Sequence, residues 1–183
     1  LLIPAETKVG GSIPLKRAIF KIKEIWNNKL YKKLSNSMSF DEYLKNTKNR
    51  PIAFLPMCLD PLHHGHINII NEAKKYGNVV IGLMTDKGMI SYKRKPLISF
   101  EGRLVVANEL KSVSFVLPID GINFVSIASK YKFEFFLHGD DWKDNVQSNA
   151  RKDLIREMDK WGGVVIDIPY TKNVSSTSIL DAI

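Results

Sequence analysis

From Arg50 onward the chain alternates short apolar runs with stretches of helical periodicity, joined by short connections. That rhythm limits the fold more than any other feature. The spacing predicts strands over 51–56, 78–85, 113–117, 133–138 and 163–168, with helices over 64–76, 99–111, 121–131 and 149–161. Ser99 is placed to cap the second of these helices and Gly162 to end the last. Strand, helix, strand repeated in this way builds a parallel sheet with helices on both faces, an α/β fold. Ligands of such sheets bind beyond the carboxyl ends of the strands, at the switch point of the topology.

The segments that follow the strands hold the residues with chemistry. After the first comes Asp60-Pro61-Leu62-His63-His64-Gly65-His66, read as strand, tight turn and helix. A helix start offers unpaired backbone N–H groups and the positive end of the dipole, which suits phosphate. His63 and His66 add imidazole donors, and Gly65 lets the backbone approach a ligand. After the second strand, Lys93, Arg94 and Lys95 supply cations for a triphosphate. After the fourth comes His138-Gly139-Asp140-Asp141-Trp142-Lys143. Asp140 and Asp141 suit a divalent metal, a ribose or a base, or simply a turn beside Gly139. Trp142 either packs on a base or fills core. After the fifth, Ser175, Ser176 and Thr177 open a helix with hydroxyls and N–H groups that fit phosphate oxygens. All four histidines of the chain fall in these segments. Together they read as a nucleotide–phosphate site. No activated Ser or Cys nucleophile is evident, so the imidazoles stabilise charge on a reacting phosphate.

The net charge of +8 is unevenly placed: residues 1–50 carry 11 Lys/Arg against 4 Asp/Glu, and the rest carry 16 against 15. The nearly neutral remainder gives no reason to expect nucleic acid. Leu1 to Pro14 reads as a linker, and residues 14–34 as a basic amphipathic helix. That helix docks on its own or a neighbouring domain, or faces an anionic membrane or partner. Ser39-x-x-Glu42 opens a further short helix to about Lys45. The division expected is a basic N-terminal appendage over 1–49 and a nucleotide domain over 50–183. The lone Cys58 forms no internal disulfide, which fits a reducing, cytoplasmic setting. No apolar run approaches the ~20 residues of a transmembrane helix. The chain starts without Met and stops soon after a helix begins, consistent with a piece of something longer.

Asp60-x-x-His63-x-Gly65-His66, Gly139-Asp140-Asp141-Trp142 and Val174-Ser175-Ser176-Thr177 resemble, in order, the motifs of the HxGH cytidylyltransferases, which include glycerol-3-phosphate cytidylyltransferase. The resemblance covers about 51–183. It implies a Rossmann-like nucleotidyltransferase fold and a five-stranded parallel sheet. It also implies CTP with Mg²⁺, and in-line attack by a substrate phosphoryl oxygen on the α-phosphorus with release of pyrophosphate. By the resemblance His63 and His66 sit at the transferring phosphate, where Lys93 and Arg94 also act. Arg103 and Ser175 to Thr177 help to hold phosphates. Met57, Asp60, Gly65, Gly139, Asp140, Asp141, Trp142, Tyr170 and Val174 lie on the nucleotide side, with Asp140 the candidate metal ligand.

The chain departs from the glycerol-phosphate enzymes at two places. Met57-Cys58-Leu59 stands for Gly-Thr-Phe, and Tyr170-Thr171-Lys172-Asn173 for Arg-Thr-Glu-Gly. Its Tyr92-Lys93-Arg94-Lys95-Pro96, His138-Gly139-Asp140-Asp141-Trp142-Lys143 and Pro169-Tyr170-Thr171 look closer to the cytidylyltransferase domains that accompany phosphoenolpyruvate mutase in phosphonate biosynthesis. The acceptor so implied is a small anionic phosphonate resembling 2-hydroxyethylphosphonate. The alternatives are phosphoalcohols: glycerol 3-phosphate, phosphoethanolamine or phosphocholine. A homodimer, or fusion to or association with another domain, is expected. Two other readings stand: an adenylyltransferase of the same superfamily, and a non-catalytic nucleotide-binding or assembly domain.

Overall fold

The computed structural model describes residues 38–47, 50–142 and 148–182. The linker, the 14–34 helix and Lys143 lie outside the described residues. Five strands run β1 (Ile52–Met57), β2 (Asn78–Met84), β3 (Phe115–Ile119), β4 (Phe135–Gly139) and β5 (Val164–Ile168). All pairs are parallel, in the order β3-β2-β1-β4-β5. The chain therefore works outward from β1 to β3, then returns to the other side of β1 for β4 and β5. The reversal puts the switch point at the carboxyl ends of β1 and β4, where a crevice opens.

The helices are α1 (Phe40–Asn46), α2 (His64–Ala73), α3 (Asp86–Tyr92), α4 (Phe100–Asn108), α5 (Phe124–Tyr131), α6 (Ser148–Asp159) and α7 (Ser176–Leu180). Strand side chains alternate in direction, so one strand feeds two cores. Ala53, Leu55 and Met57 of β1 pack with Ile70 of α2 and Leu104 of α4. Ile52 and Phe54 face the other way, into a core with Met89, Phe124, Phe136, Leu154 and Met158. Helices thus cover both faces, as the strand rhythm requires.

Two features depart from the sequence expectation. α3 falls in a stretch read only as a post-strand segment. Its N-cap Thr85 accepts Gly88 N–H at 3.1 Å. Gly88 inside so short an element hides the helical signal. The compact unit also begins at Met38, ahead of residue 50. Phe40 is the reason: it is buried among Tyr43, Phe115, Tyr131 and Phe133, with ring centroids 4.9–6.2 Å away. Ser39 caps this helix as its motif suggests, accepting Glu42 N–H at 3.2 Å.

Candidate active site

The first turn of α2 fixes two imidazoles by their backbone. His63, in extended conformation, is the N-cap, and its Nδ1 accepts the Gly65 N–H at 3.2 Å. His66 Nδ1 in turn accepts the His63 N–H at 3.2 Å. A ring nitrogen that accepts carries no proton, so each neutral ring holds its proton on Nε2. The rings lie 3.9 Å apart, and both line the crevice. His63 Nε2 is buried with no protein partner among the described residues. A buried donor left unpaired is costly, and a phosphate oxygen is a fitting acceptor for it. Gly65 matters in a way the sequence reading did not foresee. A Cβ there would sit 2.9 Å from the His63 ring, so the glycine makes room for the imidazole and not only for a ligand.

Both rings are held neutral. Burial lowers the His63 pKa, helped by the neighbouring His64. Burial pushes His66 down to about 4, helped by repulsion from His63 and Lys93. Neutral imidazoles donate without a charge that must be neutralised before the ligand arrives. The sign of the linkage is definite. The unfolded chain takes up protons near the ordinary pKa of about 6.5, whereas folded His66 does so only near 4. His66 therefore costs nothing above that ordinary value and erodes stability as pH falls through the interval between the two. Histidine NMR in the nucleotide-free protein should show one imidazole titrating near 4, and CTP should raise its pKa. A His66 titration near 6.5 in the free protein would show that the ring is solvated and not held as described.

Around these rings the crevice gathers most of the sites read from sequence. Met57, Asp60, Gly65, Lys93, Arg94, Gly139, Tyr170, Ser175, Ser176 and Thr177 all line it. Ser175 caps α7 by accepting Ser178 N–H at 2.9 Å, and Ser176 Oγ donates to Pro61 O at 3.1 Å. Two of the three hydroxyls thus hold the fold, while Thr177 lines the crevice. Val174 is not in the crevice wall; it packs over Gly65. Met84, Met89, Tyr92, Ile122 and Phe124 form an apolar end to the crevice, and His138 and Thr171 also line it. None was in the expected site. Tyr92 and His138 lay in the segments already singled out, but Met89 needed α3 to be seen.

Several expected roles are corrected. Arg103 is 1% exposed and does not line the crevice. Its Nε donates to Ile98 O at 3.0 Å, and its Nη1 to Cys58 O and Met84 O at 2.8 and 2.7 Å. Its Nη2 pairs with Asp86 at 2.6 Å. This guanidinium ties loops together and does not hold phosphate. Trp142 is fully buried and donates from Nε1 to Asp167 Oδ1 at 2.7 Å. It therefore fills core, one layer below the crevice, with the His138 ring stacked on it at 4.2 Å. Arg151 pairs bidentately with the same Asp167, at 3.0 and 2.6 Å. Asp60 borders the crevice, but its buried carboxylate is engaged by Arg94 and by the N–H groups of Leu97 and Ile98. Burial opposes its ionisation, but N–H groups of Leu97 and Ile98 and the Arg94 guanidinium outweigh burial and hold its carboxyl below the usual range.

Asp140 also stands outside the crevice wall, and its Oδ1 accepts Tyr170 N–H at 3.0 Å. Asp141 lies in the same turn, with its side chain outside the described residues. Among the described residues no three His, Cys, Asp or Glu side chains gather into a metal cluster. Such a donor set does not build a resident metal cage. The one carboxylate in the described lining, Asp60, is already paired with Arg94.

Comparison with known proteins places the arrangement. Residues 55–182 match the family described as cytidylyltransferase-like. The chain belongs to that family. A fission yeast relative (Schizosaccharomyces pombe), named "Probable ethanolamine-phosphate cytidylyltransferase", is 31% identical over 138 residues, covering 74% of this chain and 36% of that protein. The glycerol-3-phosphate cytidylyltransferase of Bacillus spizizenii is 29% identical over 122 residues, 66% of this chain and 87% of that protein. The bifunctional protein HldE of Blochmanniella floridana is 29% identical, with 25% of its length covered. The chain thus spans about a third or less of two of these relatives. These named cytidylyltransferases are nucleotidyltransferases. The fold is shared with a lipopolysaccharide core biosynthesis protein of Thermoplasma volcanium, at TM-score 0.56 and 22% identity over 69% of this chain and 100% of that one. It is the Rossmann-like nucleotidyltransferase fold. No helix among the described residues is long and apolar enough to cross a membrane.

Proposed function

We propose that this cytidylyltransferase-like domain transfers CMP from CTP to a small phosphonate, with 2-hydroxyethylphosphonate the best candidate, and releases pyrophosphate. One observation carries the proposal: two neutral imidazoles, each with its proton on Nε2, line the crevice together with Lys93. A phosphoryl oxygen of the acceptor attacks the α-phosphorus, a new P–O bond forms, and the bond to the β-phosphate oxygen breaks. The attacking oxygen is already anionic, so no base is required. What the reaction needs is in-line positioning and donors where charge develops. His63 and His66 supply donors to the reacting phosphate, and Lys93 and Thr177 hold phosphate oxygens. Two anions brought to 4 Å repel by about 4 kcal/mol at an effective dielectric of 20, which these donors and Lys93 offset. Mg²⁺ carried on the triphosphate would neutralise more of that charge.

The acceptor's identity turns on the group beyond phosphorus. The apolar end of the crevice suits a short alkyl stem. Asp60 is the only carboxylate in the described lining, and it is already paired with Arg94. An ammonium head group would find little to bind there, which weighs against phosphoethanolamine despite the ethanolamine-phosphate relative. The departures at Met57-Cys58-Leu59 and Tyr170 weigh against glycerol 3-phosphate. With CTP fixed, kcat/KM is expected to be higher for 2-hydroxyethylphosphonate than for glycerol 3-phosphate or phosphoethanolamine. A clear preference for either of those would overturn the phosphonate assignment and leave cytidylyl transfer standing.

A further inference from the structure

We infer that Arg94 and Asp60 form a latch that positions the Lys93 loop over the imidazole turn, and that neither acts as a ligand for nucleotide. Lys93 lies at the end of α3, on the segment that joins α3 to α4. The connection to the His63–His66 turn is made by Asp60, at the opposite side of the joint. Asp60 Oδ2 accepts from Arg94 Nη1 at 2.7 Å and from Leu97 N–H at 2.9 Å. Its Oδ1 accepts Ile98 N–H at 2.8 Å, and its backbone carbonyl accepts Arg94 Nη2 at 2.6 Å. Arg94 Nη1 also reaches Lys95 O at 3.0 Å, closing its own loop. The carboxylate is fully buried, while the guanidinium side chain keeps 28% exposure.

Every donor in this set converges on one residue, and that residue stands three positions before His63. Two consecutive backbone N–H groups and a planar two-pronged guanidinium match a carboxylate and a carbonyl at fixed angles. The distance from Lys93 to the imidazoles is thereby set by a rigid joint before any ligand arrives. Arg103 reinforces it from α4 through Ile98 O and Cys58 O. A residue recruited for its charge alone would not need such geometry. A point charge would do, and lysine would replace arginine without loss.

That difference makes the test. In Arg94→Lys the positive charge stays, but an ammonium cannot bridge the carboxylate and the carbonyl as the fork does. The latch predicts that Arg94→Lys is nearly as impaired as Arg94→Gln. Both should lose about tenfold or more in kcat, with the KM for CTP changed less. If Arg94 instead grips phosphate, both variants raise the KM for CTP more than they lower kcat, and the inference fails. A readout independent of turnover separates this from failure of the proposed reaction. Amide exchange at Leu97 and Ile98, measured without nucleotide, should be slow in the native chain and at least tenfold faster in Arg94→Lys. Unchanged protection in the variant would overturn the latch whatever the protein catalyses. Asp60→Asn combined with Arg94→Gln should be no worse than the more damaged single variant, because both break one joint. Full additivity of the two losses contradicts it. Should Asp60→Asn fail to fold, the Arg94→Lys comparison decides alone.

Discussion

His66→Ala is expected to slow CMP transfer by about 10²–10³-fold while the protein still unfolds cooperatively. The scale is that of removing one preorganised donor from a developing oxyanion. Its Nδ1 is occupied by the His63 N–H, so Nε2–H is the donor left to it, and the ring lines the crevice. Alanine also removes an acceptor from the start of α2, at a cost of about 1 kcal/mol on the scale of helix caps. That loss is small against the stability of a typical domain, so activity and stability should separate. Turnover with CTP, read beside a thermal melt, checks this. Near-normal turnover in a folded variant contradicts a role for His66 at the reacting phosphate.

The opposite split is expected for Arg103→Met. Family resemblance puts this arginine on phosphate, but the structure buries it and gives its donors to Ile98, Cys58, Met84 and Asp86. Removing one member of a buried ion pair costs about 3–5 kcal/mol, because the partners left behind stay desolvated and unpaired. Asp86 is 38% exposed and can recover some solvation, so the lower end of that range is expected. Methionine fills much of the space, so lost packing adds little. Urea unfolding should show a lower midpoint with an unchanged slope. Wild-type stability with only a raised KM for CTP would return Arg103 to the phosphates.

These two residues show what the sequence can and cannot reveal. The alternation of strand and helix was legible because the central strands β1 and β2 are buried on both faces and so read as continuous apolar runs, Val79 to Met84 being the clearest. The site's location followed from it, since the sequence motifs sit at the carboxyl ends of strands. His63 and His66 were legible as a pair because their spacing makes them N-cap and third helical residue. The roles of polar residues beside them were not. Asp60, Arg94, Arg103 and Trp142 are polar or amphipathic residues in segments that follow the strands, and a position near a site reads the same whether a side chain faces ligand or protein. Their partners lie 17 to 45 residues away in most cases. Such pairings depend on the sheet order and leave no local pattern. α1 shows the same limit at the amino end, where Phe40 is the one buried residue of a short helix and only its aromatic neighbours across the core reveal that it belongs to the domain.

The central claim is that this site moves a cytidylyl group. It is tested most directly by incubating the protein with CTP, Mg²⁺ and 2-hydroxyethylphosphonate, then following the products by phosphorus NMR and mass. The account predicts a CMP–phosphonate conjugate and one pyrophosphate for each CMP transferred, with ATP a poor substitute for CTP. No pyrophosphate from CTP with any phosphonate or phosphoalcohol acceptor, or equal turnover of ATP and CTP, would contradict it.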